Sequence, residues 1–213
     1  MPRPSNTRER RQQISKALIR VMSEQGYEKA SIGQIARTAG LTQGLVHYHF
    51  RNKREILLSV LDEMRRRHGR ALEKALVSAG ESPLHQLDAF IEVHVGPGAY
   101  RDAEALACWI FLTGQALREP EVRSRFEEVL TAPTSQLQRI IHDGLAVGFF
   151  GRGDPAASAG ALMATIQGYF LLGATARHLI PRGSAAEETR LMAKGLLDIK
   201  EPLGTHPDHW RGN

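Results

Sequence analysis

Between Ser31 and Lys53 the chain concentrates side chains suited to reading a nucleic-acid surface. The amide of Gln43 can donate to and accept from one adenine edge, and Gly44 beside it lets the backbone come close. Thr42, Tyr48 and Lys53 bring two hydroxyls and an ammonium group for phosphate oxygens, and Ser31 adds a hydroxyl upstream. His47 can serve either kind of contact. His49 either joins them or packs with Phe50.

These residues need two short helices and a tight turn to hold them. Ile32, Ile35, Ala36 and Ala39 recur at helical spacing and give one inward stripe. Ser31 with Gln34 three positions on predicts a capping box. Gly40 follows the last periodic residue, where a left-handed backbone suits glycine. Thr42 can cap the next helix, Leu45 and Val46 can anchor it, and the small Ala36 lets the two helices cross closely. This is the sequence form of a helix-turn-helix, whose second helix enters the major groove. Asn52 and Glu55 then predict a third helix start, with Lys53 at the positive end of its dipole as a phosphate site.

With Ala36, the AGLT turn, Gly44, the aromatic run His47-Tyr48-His49-Phe50 and Lys53 in these positions, the stretch resembles the N-terminal domain of TetR-family transcriptional regulators. One position departs from the pattern. The family usually carries Tyr where this chain has His47, so either His47 or Tyr48 is the phosphate contact. The resemblance, specific over about residues 8 to 60, implies an all-α, nine-helix, two-domain fold with an N-terminal three-helix bundle and a C-terminal helical domain for ligand binding and dimerisation. It also implies a homodimer on near-palindromic double-stranded DNA and a small organic effector. The segment ALMATIQGYFLLGA is similar to regulators of the choline-responsive repressor group, but it names no effector.

Charge agrees with a polyanion partner. Residues 1–75 carry 16 Lys/Arg against 7 Asp/Glu, a balance of +9, whereas residues 76–213 carry 12 against 16, a balance of −4. No signal segment and no unbroken apolar run of membrane-spanning length is evident, so a cytoplasmic protein without membrane contact is expected. The single Cys108 cannot form an internal disulfide or build a metal site alone, and no cofactor is implied.

Residues 1–7 read as a flexible arm whose Arg3, with Arg8, Arg10 and Arg11, could reach DNA. The first helix is expected from about Arg8 to Gln25, with Tyr27 and Ala30 filling the corner after it, and the fourth over about 52–80. Further helices are expected over 83–95, 102–118, 120–147, 154–179 and 184–199, with a kink at Pro133 and a second capping box from Ser184 and Glu187. The domain reading is 1–55 for DNA, 56–200 for effector and dimerisation, and 201–213 as a flexible tail.

In the second half, His94, Trp109, Phe111, Leu112, Gln115, His142, Met163, Gln167 and Phe170 combine apolar walls with a few polar groups, and either line an effector cavity or fill the core. Ala157, Gly160, Ala161, Ala164 and Gly168 form a stripe of small residues, the expected dimer face. A helical enzyme using His94, His142 or Cys108 is a weaker reading, because no nucleophile elbow, phosphate loop or metal-ligand spacing is present. A regulator whose second half serves only dimerisation or protein docking also stays open.

Overall fold

The computed structural model describes residues 4–98 and 103–204, with side chains from residue 7 onward. Among the described residues there are nine α-helices, one 3-10 turn and no strand. They are α1 (Pro4–Gln25), α2 (Ile32–Ala39), α3 (Gln43–His49), α4 (Lys53–Ala79), α5 (Pro83–Val95), α6 (Ala103–Ala116), α7 (Pro120–Ala146), α8 (Pro155–Thr175) and α9 (Ser184–Leu197), with the 3-10 turn at Arg177–Leu179. The all-α expectation holds.

The chain forms two compact units, Met1–Arg67 with Ala103–Val129 and His68–Asp102 with Leu130–Asn213. In the first, α1 packs on α2, α3 and α6. Ile14, Leu18 and Val21 of α1, Ile35 of α2, Val46 of α3 and Ile56, Leu57 and Leu61 of α4 are all buried. Each such side chain contributes about 1.5–3 kcal/mol relative to exposure. In the second, Leu87, Phe90 and Ile91 of α5 share a core with Leu137 and Ile141 of α7, Leu162 and Ile166 of α8, and Ala193 and Leu197 of α9. Arg190 of α9 clamps α5 by donating to Asp88 at 2.5 Å and Glu92 at 2.7 Å.

Caps explain most of the boundaries. Ser31 and Gln34 form the reciprocal capping box, Gly40 closes α2 at φ 63°, Thr42 accepts from the Leu45 amide, and Asp154 accepts from the Ala157 amide. Four expectations need correction. Residues 4–7 are helical rather than an arm, since Pro4 at the first turn lacks only an amide that would be unpaired anyway. The Ser184 box does not form. Gly183, at φ 82°, is the N-cap, and the Ser184 hydroxyl donates instead to the Pro181 carbonyl. The eighth helix stops at Thr175, and the chain resumes as the short 3-10 turn. Leu203, placed in the expected tail, packs against the second core. The rest of that tail, 205–213, lies outside the described residues, as does Arg3.

Pro133 sits within α7 without ending it. By length and composition α8 could cross a membrane, which reading the sequence for an unbroken apolar run overlooked. Its apolarity is divided between buried Leu162, Met163 and Ile166 and the exposed small residues Ala157, Gly160, Ala161, Ala164 and Gly168.

Candidate DNA-reading surface

α3 is held by its apolar side and presents its polar side. Val46 and the following Phe50 are buried, while Thr42, Gln43, Gly44, His47 and Tyr48 are exposed. Tyr48 is 80% exposed, which is unusual for so large a ring on a short helix. Ser31, at the start of α2, is also exposed. Its hydroxyl accepts from the Gln34 amide at 3.2 Å and donates to the Gln34 side-chain oxygen at 2.9 Å. His49 is half-buried, with its ring edge-on to Tyr48 at 5.1 Å. Burial, and then the guanidinium groups of Arg11 and Arg10, push its pKa down, so the ring is neutral near pH 7.

Lys53 is more committed than its sequence position suggests. Its ammonium donates to the carbonyl of Tyr27 at 2.7 Å and of Glu28 at 3.3 Å, and lies 4.2 Å from the centre of the Tyr27 ring. Burial, with Glu119 and Glu28 nearby, pushes the Tyr27 hydroxyl up to about 12, so the cation stands over a neutral phenol. Tyr27 also meets Phe111 of α6, with ring centres 5.0 Å apart. At the start of α4, Asn52 caps the Glu55 amide, and the Glu55 carboxylate accepts from the Arg51 amide. Arg54 pairs with Glu119 and Glu121 beside the first turn of α7.

Two supporting roles escaped the sequence reading, which placed Arg11 only among the arginines that could reach DNA and did not single out Gly33. Arg11 of α1 donates to the carbonyl of His49 at 2.5 Å, reaches Glu55 at 3.5 Å and lies 4.0 Å above the centre of the Phe50 ring. A separation of 38 residues leaves no local signal for this contact. Gly33 of α2 is the other. A Cβ at this position would lie 2.8 Å from Nε2 of Gln43, so glycine makes the space in which the Gln43 amide rests.

The nine residues read as cavity-lining divide between the units. Trp109, Phe111, Leu112 and Gln115 belong to the first and His94, His142, Met163, Gln167 and Phe170 to the second. Trp109 stacks on Phe126 with ring centres 4.5 Å apart. His142 faces outward, 73% exposed, and bonds its neighbour Asp143. Met163 is buried in the second core, and Phe170 packs against it.

His94 reveals a partner that sequence spacing could not supply. Its Nε2 lies 2.8 Å from Nε2 of His68, and its Nδ1 lies 2.7 Å from the carbonyl of Phe90. A carbonyl only accepts, so His94 is protonated on Nδ1 and its Nε2 accepts from the Nε2–H of His68. Burial, reinforced by the His68 imidazole, pushes His94 down to about 3, and burial lowers His68 as well. The pair is therefore uncharged.

The comparisons with known proteins bear on both parts of the chain. Residues 14–60 match the bacterial regulatory proteins of the tetR family, and residues 83–198, more than half of the chain, match the C-terminal part of BetI-type transcriptional repressors. The chain belongs to the TetR family. It is a DNA-binding transcriptional regulator of the BetI type. A relative in Stenotrophomonas maltophilia, the HTH-type transcriptional regulator BetI, is 24% identical over 94% of this chain and 97% of its own. Among solved structures, a transcriptional regulator from Pseudomonas aeruginosa shares the fold with a TM-score of 0.80, at 18% identity over 90% of this chain and 91% of its own. A regulator from Saccharomonospora viridis, solved in complex with choline, aligns with a TM-score of 0.70 at 22% identity, over 89% of this chain and 96% of its own.

Proposed function

We propose that this TetR-family protein acts as a cytoplasmic homodimeric repressor that leaves a near-palindromic operator when a small organic effector binds its C-terminal part. The observation that carries the DNA-reading assignment is the exposed polar face of α3, with Gln43, Gly44, His47 and Tyr48 outward and Val46 inward. Gln43 reads a base. Thr42, Tyr48, Lys53 and Ser31 meet phosphates, with His47 and His49 beside them. Lys53 does so at the expense of its bonds to the turn after α1.

The division of labour follows the sequence reading: residues 1–55 for DNA, 56–200 for effector and dimer, and the tail for neither. The five small residues of α8 are exposed while their neighbours Ser158, Ala159, Leu162, Met163 and Ile166 are buried, which supports a close helix-to-helix contact with a second copy. Leu191, Met192 and Leu196 of α9, the helix packed on α8, are exposed as well. A dimer would set two recognition helices about 34–36 Å apart.

His94, Met163, Gln167 and Phe170, joined by His68, are the effector candidates in the second unit. A neutral histidine pair offers hydrogen bonding without charge. α4 contributes residues to both units, so effector binding that favours one setting of this helix changes operator affinity. No catalytic role is assigned.

The test is fluorescence anisotropy with duplexes tiled across the DNA beside the gene, repeated over a salt series. Tight binding of one duplex by two subunits supports the reading. Uniform, steeply salt-dependent binding to every duplex opposes it, because only phosphate attraction would then be present.

A further inference from the structure

Within the first unit, α1 and α4 face each other across polar side chains. Thr7, Arg8, Arg11, Gln12 and Ser15 line one wall and Ser59, Asp62, Glu63 and Arg66 the other, enclosing a cleft of about 520 Å³. Their spacing puts each set on one face of its helix. Two packed helices ordinarily meet through apolar residues, and Ile14, Leu18, Ile56 and Val60 beside the cleft do conform. Apart from Arg11, the polar seam has no part in the α3 surface.

Some of its groups are internally satisfied. Glu63 accepts from Gln12 at 3.0 Å and from Arg66 at 2.9 Å. Others are not. The hydroxyls of Ser15 and Ser59 lie 2.7 Å apart and are 2% and 8% exposed. Two hydroxyls carry two protons, and one bond between them uses one. The second O–H has no acceptor among the described residues. A buried donor left in this state is destabilising. Arg8 and Thr7, at the mouth, likewise have no partner among the described residues, and Asp62 has only a long ion pair with Arg125 at 3.9 Å.

We propose that this cleft binds a small oxyanion, of the carboxylate or phosphate class, through Arg8, Thr7 and the spare Ser15/Ser59 hydroxyl. One buried unsatisfied hydroxyl beside two exposed donors at the mouth calls for an acceptor-rich anion, and the lining carries three arginines against two carboxylates. Arg11 links the cleft to the reading head. An anion drawn to its guanidinium competes with the His49 carbonyl and Glu55, and so loosens the end of α3. The site would tune DNA affinity independently of any effector in the second unit.

The same chemistry has two sources, a free oxyanion or a DNA phosphate, and the experiment separates them. Inorganic phosphate and citrate are titrated into the full-length protein, at ionic strength held constant with chloride, and binding is followed by thermal shift and calorimetry. Wild type, Arg8→Ala and the double variant Ser15→Ala/Ser59→Ala are compared. The double variant removes an unsatisfied donor, so it should melt at or above wild type while losing at least threefold in anion affinity, and Arg8→Ala should lose a similar factor. Equal anion protection of all three proteins would overturn the proposal. So would an Arg8→Ala variant that binds duplex DNA more weakly but free anions as well as wild type, because the seat would then belong to a backbone phosphate. If either variant fails to fold, Thr7→Val on the cleft rim provides the same comparison.

Discussion

The guanidinium of Arg11 spans the joint between α1 and the end of the recognition helix, donating to the carbonyl of His49 from 2.5 Å while lying over the ring of Phe50. One side chain thus satisfies a C-terminal carbonyl of α3 and covers the residue that anchors it. Arg11→Ala should cost roughly 1–2 kcal/mol of stability and weaken operator binding at least tenfold. Arg11→Lys should recover part of the stability but little of the DNA affinity, since it lacks the planar fork. Melting curves and anisotropy on the two variants check both halves of this expectation.

Ser31 has two duties that substitution can separate. Ser31→Ala should lower stability by about 1 kcal/mol through loss of the cap. Ser31→Asp keeps a capping acceptor, so it should melt near wild type, yet it places a negative charge on the DNA-facing side and should bind duplex at least tenfold more weakly. A stable Ser31→Asp protein with unchanged DNA affinity would remove Ser31 from the contact set.

Acid should destabilise the second unit through its buried histidines. His94 is depressed to about 3, and His68 is lowered too, against an unfolded value near 6.5. The unfolded chain binds protons that the folded pair refuses, so the stabilisation is complete above pH 6.5. It declines as pH falls toward the folded values, by up to about 1.4 kcal/mol per pH unit for one group. His94→Gln should flatten the dependence of urea midpoints on pH between 6.5 and 4.5. An unchanged slope would place the proton uptake elsewhere.

The exposed stripe on α8 gives a test of assembly. Ala161→Arg and Ala164→Arg alter residues that lie outside the core, so each variant should fold and melt normally but stay monomeric at concentrations where the proposed wild-type dimer forms. Light scattering after size-exclusion chromatography reads this out. Dimers that survive both substitutions would put the interface on another face.

Much of the helical layout was legible because its ends are written in short-range chemistry. Ser31, Gly40, Thr42, Asn52 and Asp154 each satisfy amides or carbonyls within a few residues, and their roles hold in the structure. Ser184 shows the limit of such motifs. It has the right neighbour in Glu187, but the left-handed Gly183 starts the helix and turns the hydroxyl toward Pro181. Lys53 and Arg11 were harder to place because long side chains choose among distant partners that only tertiary packing brings near. The Ser15–Ser59 contact was equally hidden, since each serine lies beside an apolar helical repeat without breaking it. His68 left no trace either, since its place beside His94 depends on how α4 and α5 pack.

Gly33 gives the reading head a property that no DNA-contacting residue supplies. The hollow it leaves takes the end of the exposed Gln43 side chain, the base reader proposed above. On the proposed reading, a base contact draws that amide out of the hollow. On that reading, position 33 sets where the amide rests before DNA arrives. A larger residue there would push the end of the Gln43 side chain aside and so change the rotamer from which the proposed contact starts.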